Sequence, residues 1–269
     1  MTIEVLICSL NKGIVRVGDI LLPQQEGLSY LVAFQYTDKR YLDLIPSVLL
    51  EREDVRFFEF EGQGLSLNRN NALDRAEGDI VIFADDDARF ETDSFQRVKA
   101  VFAQSNDVDI AFFQASTYTG KPLKAYPTHE VDLSKSSSHD RAISAIEMAC
   151  LRCKVQGRIR FDERFGLGTE MLTCGEEEIW LEDARRIGLC MRYFPIKMVE
   201  TSTLLKKQLL YVDAGVQRSF AAIQYYIHGA KAWWICLKFA FDATRKGMAH
   251  FFPLMRQFAA GISFLKHRK

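Results

Sequence analysis

GDIVIFADDDARF, residues 78–90, is the stretch that decides the fold. Its segment 79–84 has the composition of a buried strand, and three consecutive aspartates follow it, Asp85, Asp86 and Asp87. Adjacent carboxylates repel one another, so such a triplet is typical either of a cation-binding site or of a solvated turn in which one aspartate caps the next helix. A continuous apolar strand favours a sheet that is covered on both faces.

Strand and helix signals alternate along the first 200 residues. Strands are predicted at 2–10, 28–36, 55–60, 79–84, 108–116 and 191–199. Helices are predicted from the turn at 11–13 to about residue 26, at 38–51 with a break at Pro46, from Ser66 as N-cap to Gly78, at 93–104 and around 141–153. This alternation predicts an α/β fold with a mostly parallel, Rossmann-like sheet flanked by helices.

The formal net charge is zero, but it is unevenly distributed. Residues 204–269 hold eleven Lys and Arg against Asp213 and Asp242, a net charge of +9, which leaves −9 on residues 1–203. Apolar and aromatic residues recur in this tail at helical spacing. The pattern predicts a basic helical C-terminal extension, either amphipathic helices on an anionic membrane surface or a cap that packs on the body or on another subunit. The acidic body argues against nucleic acid as a partner.

Several features bear on the expected location of the protein. The apolar run of the N-terminal segment 1–13 contains Glu4 and follows no basic region, so no signal peptide is predicted. Uncharged runs in the tail, such as 219–230, are shorter than the roughly 20 residues that span a bilayer. The six cysteines show no disulfide-scaffold spacing, and the one CxxC pair, Cys150 and Cys153, has no second ligand pair. We expect a cytoplasmic protein, with the tail permitting peripheral attachment to the inner face of the cell membrane.

Polar residues follow the first two predicted strands, at the strand ends where ligands bind in open α/β sheets. They are Ser9 and Asn11 after the first strand and Gln35 and Asp38 after the second. After the third strand, a Gly62-x-Gly64 turn opens a predicted helix that carries Arg69 one turn in. Donors at a helix N-terminus and a nearby guanidinium suit an anion such as a diphosphate.

Carboxylates at 85–87 can face a diphosphate only if a divalent cation lies between them. Mg²⁺ and Mn²⁺ prefer carboxylate and phosphate oxygens. The sequence therefore predicts a metal and nucleotide-diphosphate site at this edge of the sheet. Taken alone, the Gly turn is equally typical of a plain turn, and a lone arginine such as Arg69 is more often a surface residue than a ligand.

A second acidic cluster, Glu176 to Glu178, follows Gly175 and precedes a predicted helix. Acidic residues in the first turn of a helix complement its dipole, which is one interpretation. The other is a general base, a carboxylate that takes a proton directly from an acceptor hydroxyl.

Three segments in combination resemble the family 2 glycosyltransferases with a GT-A fold, in particular the bacterial members that build capsular or O-antigen polysaccharide. They are EVLICSLN (4–11), GQGLSLNRNNALDRAEGDIVIFADDD (62–87) and FDERFGLGTEMLTCGEEEIWLEDARRIG (161–188). The resemblance covers roughly residues 2–200 and divides the predicted domain 1–203 into a nucleotide-sugar half, about 1–115, and an acceptor half, about 116–203. The basic tail, 204–269, lies outside it.

The resemblance implies inverting transfer of a sugar from a nucleotide-diphosphate sugar, most often a UDP-sugar, to a glycan or lipid-linked acceptor. The aspartate triplet stands where the family has its DxD motif, with Asp87 and Asp85 as ligands of Mn²⁺ or Mg²⁺ and Asp86 at the ribose or the metal's water shell. The family's nucleotide contacts map to Ser9, Asn11, Gln35, Asp38 and Arg69. Its general base maps to Glu177, with Glu176 as the alternative. The FGLG loop, 165–168, is expected to shape the acceptor pocket, and Trp180 to stack on a sugar.

The chain departs from the family pattern at two positions. Gln35 stands where many members have an aspartate that contacts uracil, and Glu200 follows strand 191–199 where many have a histidine that binds the metal. Two other functions stay open. One is a metal-dependent nucleotidyltransferase, for which the loop after the first strand is a poor match, and the other is a non-catalytic nucleotide-sugar-binding or scaffold protein of a polysaccharide assembly complex.

Overall fold

The computed structural model of the chain describes residues 1–105, 107–135, 143–202 and 209–267. Contacts group the chain into two compact units. Unit one comprises Met1–Gln63, Leu67–Arg160 and Asp183–Leu204, and unit two comprises Gly64–Ser66, Phe161–Glu182 and Leu205–Lys269. The domain boundaries expected from the sequence stay a prediction.

Unit one contains a sheet with nine strands in the described residues. The strands are β1 Ile3–Leu10, β2 Leu28–Tyr36, β3 Val55–Glu61, β4 Ile80–Asp85, β5 Arg89–Phe90, β6 Ile110–Thr117, β7 Val131–Asp132, β8 Met148–Leu151 and β9 Met191–Thr201. Their order is β3-β2-β1-β4-β8-β6-β9-β5, and β7 pairs with β9. β1 is parallel to both β2 and β4, β2 to β3, and β6 to β9, whereas β8 is antiparallel to its neighbours β4 and β6.

Helices flank the sheet and make up most of unit two. The α-helices are α1 Ile14–Ile20, α2 Val48–Glu51, α3 Leu65–Arg75, α4 Ser94–Gln104, α5 Arg152–Val155, α6 Glu176–Arg186, α7 Leu209–Val212, α8 Ala214–His228, α9 Ala232–Arg245 and α10 Phe251–His267. Short 3-10 helices lie at Asn11–Gly13, Lys39–Leu44, Ala145–Glu147 and Gly229–Lys231. The predicted α/β fold, with a mostly parallel sheet flanked by helices and a helical C-terminal segment, is confirmed.

β1 lies in the middle of the parallel part of the sheet, and all its residues except Leu10 are buried. One of them is charged: Glu4 is 1% exposed. Its carboxylate accepts hydrogen bonds from the Arg56 guanidinium at 2.7 Å and from the backbone N–H of Gly78 at 3.1 Å. A buried carboxylate is tolerated because charged and backbone donors satisfy it.

The helix predicted around 141–153 is wrong over its described part. A 3-10 turn at Ala145–Glu147 leads into β8, and only Arg152–Val155 is α-helical. Cys150 pairs with Val81 of β4 on one side and with Ile110 of β6 on the other. Ladder hydrogen bonds and burial between two strands outweigh the helical periodicity of this short apolar run, which is a tertiary effect.

Two predicted helix boundaries also differ from the structure. The helix after β1 ends at Ile20 rather than near residue 26. Ser66, predicted as an N-cap, lies inside α3, and its hydroxyl donates to the Phe165 carbonyl at 2.7 Å. A serine hydroxyl can satisfy a distant carbonyl as well as a local N–H, so sequence spacing does not distinguish the two roles.

The helices of the tail share an apolar core of their own in unit two. Ala232, Cys236 and Ala240 of α9 are buried against Leu254 and Phe258 of α10. Helices α8 and α10 approach so closely that a Cβ on Gly261 would lie 2.1 Å from the Arg218 carbonyl oxygen. Among the described helices, none combines the length and the apolar character needed to cross a membrane.

We predict that Gly261→Ala destabilises unit two. A Gly-to-Ala change in a helix interior normally stabilises by roughly 0.5–1 kcal/mol, but here the methyl group meets backbone and forces α8 and α10 apart. Overpacking of this kind costs about 1–3 kcal/mol, which corresponds to a fall in Tm of roughly 2–12 °C. Ser263→Ala, at an exposed position of the same helix, is the control; equal Tm values for the two variants would contradict the prediction.

Candidate functional site

The three aspartates lie at the carboxyl end of β4 in unit one. Asp85 is the last residue of the strand and lies opposite Cys8 of β1, and a turn closed by the Ala88 N–H and the Asp85 carbonyl contains the other two. Each carboxylate has different surroundings, so the triplet is not one uniform acidic surface.

Asp86 is held by the segment that follows β1. Its carboxylate accepts hydrogen bonds from the Ser9 hydroxyl at 3.2 Å and from the guanidinium of Arg16 on α1. Gly13 allows this approach, because a Cβ there would lie 1.8 Å from Asp86 Oδ2. Burial raises the pKa of Asp86, and the Arg16 guanidinium opposes that effect. Burial therefore makes the charged form costly, and Arg16 and Ser9 compensate it in part.

Asp87 is the most buried of the three, with 9% of its surface exposed. Thr201 Oγ1 donates to its carboxylate at 3.2 Å, and the backbone N–H and the hydroxyl of Ser202 donate as well. The Tyr118 hydroxyl donates to the Asp87 carbonyl oxygen. The end of β9 and the loop after β6 thus fix the position of Asp87.

Asp85 has the most accessible carboxylate, with 36% of its side chain exposed. Arg69 of α3 lies 3.5 Å from it and is itself buried. Asn68, next to Arg69, donates to the carbonyl oxygens of Ser9 at 3.2 Å and Ala33 at 3.1 Å. These two bonds hold this part of α3 against the ends of β1 and β2, and thereby position Arg69.

The polar residues Asn11, at the end of β1, and Gln35 and Asp38, at the end of β2, are placed in two different ways. Asn11 adopts a left-handed backbone conformation, φ 51°, and its side-chain oxygen accepts from the Thr37 N–H at 2.8 Å. Asp38 caps the turn Lys39–Leu44, because its carboxylate accepts from the Arg40 N–H at 2.9 Å. Gln35 is 1% exposed, and its side-chain nitrogen has no hydrogen-bond partner among the described residues. Asn11 and Asp38 are accessible from solvent, whereas Gln35 lies beneath the surface.

The sequence did not single out Arg16, Gly13, Tyr118, Thr201 or Ser202. Arg16 follows Gly13 by about one helical turn, and its role beside Asp86 becomes visible only when the position of α1 is known. Thr201 and Ser202 directly follow Glu200, which stands where many members of the family have a histidine. Glu200 itself pairs with Lys197 at 2.6 Å. In the described part of the chain, no group of three or more His, Cys, Asp or Glu is placed to hold a metal ion.

The second acidic cluster lies in unit two, where Glu176 to Glu178 form the first turn of α6. Glu176 is 4% exposed, and Glu177 is partly exposed. The loop Phe165–Gly168 packs on Glu176 so closely that a Cβ on Gly166 would lie 3.1 Å from its carboxylate. Leu167 of the same loop is 68% exposed.

Trp180 does not present its ring to solvent, so the expected stacking on a sugar is wrong for this structure. The side chain is 0% exposed and stacks on Phe161, with the ring centroids 5.5 Å apart. The helical periodicity of α6 explains this, because Trp180 lies on the same buried side as Ile179 and Ala184.

Helix α8 of the tail packs against the residues that precede Glu176. The Ser219 hydroxyl accepts a hydrogen bond from the Cys174 N–H at 3.3 Å. A Cβ on Gly175 would lie 2.4 Å from Ile223 Cδ1, and Gly175 has a φ of 100°. Burial raises the pKa of the Cys174 thiol to about 12, so this cysteine is a packed thiol rather than a nucleophile. The first turn of α6 is therefore held in place by α8.

We predict that Gly175→Ala lowers stability more than Gly188→Ala. Both glycines have a positive φ, but nothing lies within 4 Å of a Cβ on Gly188, so only the backbone strain, about 1–2 kcal/mol, applies there. At Gly175 the contact with Ile223 adds about 1–3 kcal/mol. Thermal unfolding measures the difference.

A double variant isolates the contact at Gly175. Ile223→Ala removes the atoms that the new methyl group would meet, so Gly175→Ala should cost less in that background, by about 1 kcal/mol or more. If its cost is the same in both backgrounds, α8 does not restrict Gly175.

Comparisons with known proteins bear on the whole fold and on its middle segment. Solved structures of S. aureus TarS resemble the chain: the structure of TarS has a TM-score of 0.57 at 16% identity, over 89% of this chain and 43% of that one. TarS 1–349 with UDP-GlcNAc gives 0.56 at 15% identity (89% and 71% covered), and TarS 1–349 with UDP gives 0.56 at 16% (91% and 73%).

The chain thus spans less than half the length of TarS as it appears in the first of these structures. A search of curated proteins finds no match. At these identities the structural likeness shows the fold, which is the GT-A fold expected from the sequence. Residues 38–158 match the family model "Glycosyl transferase family 2". The matched residues make up fewer than half of the chain, and they include α3, β4 and the aspartate triplet.

Proposed function

We propose that the protein is an inverting, metal-dependent glycosyltransferase. The donor is a nucleotide-diphosphate sugar, in the first place a UDP-sugar, and the acceptor is a glycan or a lipid-linked sugar in the synthesis of a bacterial surface polysaccharide of the capsular or O-antigen type. The observation that carries the proposal is the polar cluster at the ends of β1 and β4, formed by Ser9, Arg16, Arg69 and the aspartate triplet. Arg69 and the triplet lie within residues 38–158, which match the family model.

The donor class rests on two kinds of support. Ligands of open α/β sheets bind at the carboxyl ends of the strands, which is where this cluster lies. TarS, which shares the fold, has been crystallised with UDP-GlcNAc and with UDP. We propose that Ser9, Asn11 and Asp38 contact the base and the ribose. We also propose that Gln35 acts on the side of the nucleotide base from its buried position, and that Asp86 lies next to the ribose or the metal's water shell.

A divalent cation fits the donor set of this cluster. Mg²⁺ usually binds through one or two carboxylates and completes its shell with substrate phosphates and water, so a cluster of three protein ligands is not needed. Asp85 offers an accessible carboxylate, and Asp87 a carboxylate that hydroxyl donors orient. We propose these two residues as the protein ligands of Mg²⁺ or Mn²⁺, which would stabilise the charge of the leaving diphosphate.

The residues of the chain would carry out the remaining steps. As the acceptor oxygen bonds to the anomeric carbon, the bond from that carbon to the diphosphate oxygen breaks, and the diphosphate leaves with the electron pair. Arg69 and Arg16 supply positive charge on the donor side. Glu177 takes the proton of the acceptor hydroxyl; its carboxylate is partly exposed, whereas that of Glu176 is buried, which favours Glu177 as the base.

A lipid-linked acceptor would be reached at the inner face of the cell membrane. We therefore place the protein in the cytoplasm with peripheral attachment through its basic tail, in which eleven cationic side chains stand against two carboxylates.

The donor and the metal are tested together by thermal unfolding with a panel of nucleotide sugars, with Mn²⁺ or with EDTA. We expect a UDP-sugar with Mn²⁺ to raise Tm by several degrees, because a ligand that binds only the folded state stabilises it. EDTA should remove the shift, as should Asp85→Asn and Asp87→Asn. Absence of a metal-dependent shift with every nucleotide would rule out the proposed site.

The general base is tested by Glu177→Gln. We expect sugar transfer to fall about 10²–10⁴-fold while the nucleotide-dependent Tm shift is unchanged, with Glu176→Gln as the matched neighbour. Transfer at the wild-type rate in Glu177→Gln would make that assignment wrong. Nucleotide binding by the wild type without transfer to any acceptor would instead favour a non-catalytic sugar-nucleotide-binding protein.

Gly13→Ala tests whether the position of Asp86 matters for the donor. Its helical backbone, φ −58°, accepts alanine, but the methyl group would displace the Asp86 carboxylate from Ser9. We expect the donor to bind about tenfold more weakly, an amount that corresponds to one lost charge-assisted contact. Gly18→Ala on the same helix is the control, and equal donor affinity in both variants would contradict the prediction.

A further inference from the structure

The outward face of α9 in unit two combines aromatic and cationic side chains. Ala232, Cys236, Ala240 and Ala243 form the buried side of the helix. Trp234, Lys238, Phe241 and Arg245 recur at intervals of three and four residues, so they form one stripe on the opposite side. A solvated helix normally presents polar residues on such a face.

The aromatic members of the stripe are unusually exposed. Trp234 is 75% exposed and Phe241 63%, and Trp233 and Leu237 beside them are 42% and 38% exposed. Phe252, near the beginning of α10, is 82% exposed. Large apolar side chains grouped on one helix face, with cations between them, mark an interaction surface rather than scattered surface residues.

The charge around this face is predominantly positive. Between residues 231 and 256 the cationic residues are Lys231, Lys238, Arg245, Lys246 and Arg256, all exposed, and the only carboxylate is Asp242. Asp242 lies 4.0 Å from Arg245, which is itself 70% exposed. The face therefore has a net positive charge next to exposed apolar surface.

We infer that the α9 face, formed by Trp233, Trp234, Leu237, Lys238, Phe241 and Arg245, binds the surface of an anionic lipid bilayer. Tryptophan rings are enriched at the boundary between headgroups and acyl chains, and Lys and Arg contact anionic headgroups. The helix has 14 residues and is about 21 Å long, so it would lie in the plane of the interface.

Charge argues against a second copy of the chain as the occupant. A two-fold interface through this face would bring the Lys238 and Arg245 side chains of two copies close together, and Asp242, the one carboxylate between residues 231 and 256, would leave a net positive charge on each copy. Anionic lipid supplies the missing negative charge, and each basic residue near such a surface contributes about 1 kcal/mol of attraction.

A groove next to the face extends this surface. It has a volume of about 470 Å³ and is lined in part by Trp233, Tyr225, Ile262, Lys266 and His267. Its apolar wall and its lysine have the same combination of features as the α9 face, so a headgroup or acyl segment could occupy the groove while the helix lies on the bilayer.

The inference specifies the surface behind the proposed membrane attachment, but it does not depend on sugar transfer. If the wild-type chain transfers sugar but does not bind lipid vesicles, the α9 face alone is refuted. If it binds lipid vesicles but does not transfer sugar, the catalytic proposal alone is refuted. The two sets of experiments therefore give separate answers.

The test uses the full chain and lipid vesicles. Flotation should recover the protein with vesicles that contain phosphatidylglycerol, and not with vesicles of phosphatidylcholine alone, and high salt should weaken the binding. The chain has three tryptophans, and Trp180 is already buried. A blue shift of the fluorescence on vesicle addition would therefore report Trp233 and Trp234.

Two pairs of substitutions locate the surface. Trp234→Ser with Phe241→Ser, and separately Lys238→Glu with Arg245→Glu, should lower partitioning onto anionic vesicles at least tenfold, which corresponds to a loss of about 1.4 kcal/mol or more of binding free energy. These positions are exposed, so Tm should change little. Leu50→Ser and Arg158→Glu, at exposed positions of unit one, are the controls and should bind as the wild type does.

Three results would overturn the inference. The first is equal binding to neutral and anionic vesicles, and the second is unchanged binding in both double variants. The third is a concentration-dependent dimer that Trp234→Ser with Phe241→Ser abolishes, together with no vesicle binding by the wild type; that result would show a second copy on this face.

Discussion

Parallel pairing of β1 with both β2 and β4 is the constraint on which the candidate site depends. In this register Leu10 lies opposite Gln35, and Cys8 lies opposite Asp85, so the three strands end at the same edge of the sheet. The ends of parallel strands carry no hairpin between them, which leaves that edge open for side chains and ligands. A shift of one residue in either pair would turn Asp85 or Gln35 to the other face.

Adjacent carboxylates can coexist at this edge because each is assigned to a different part of unit one. Asp86 is satisfied by Ser9 and Arg16, Asp87 by Thr201 and Ser202, and Arg69 lies next to Asp85. Partial burial makes such charges costly unless donors surround them. Thus the three adjacent aspartates, whose carboxylates would repel one another, form a preorganised set whose orientations are fixed by β1, α1, α3 and β9.

In unit two, helix α8 of the tail makes specific contacts with the segment that precedes α6. Helix α8 supplies Ser219 and Ile223 to the residues directly before α6, and Arg218 of the same helix donates to the Met171 carbonyl at 2.9 Å. The turn that begins with Glu176 is thus supported by residues more than forty positions away in sequence. Helix α9 of the tail packs through its buried alanine side and keeps an aromatic and basic outer face, which is the surface that we propose to bind lipid.

The sequence alone determined the features that depend on local pattern. Strands β1, β2 and β4 and helix α4 were predicted within about two residues, because apolar runs and turn residues are local signals. The position of the aspartate triplet at a strand end followed for the same reason.

Tertiary structure decided the features that depend on residues far apart in sequence. Met148–Leu151 became a strand because two neighbouring strands were available to pair with it, and Trp180 was buried because Phe161 covers it. Arg16, Thr201 and Ser202 contact the aspartates only because the fold brings α1 and the end of β9 close to the turn after β4, and contacts over about 70 and 114 residues of sequence have no local signature.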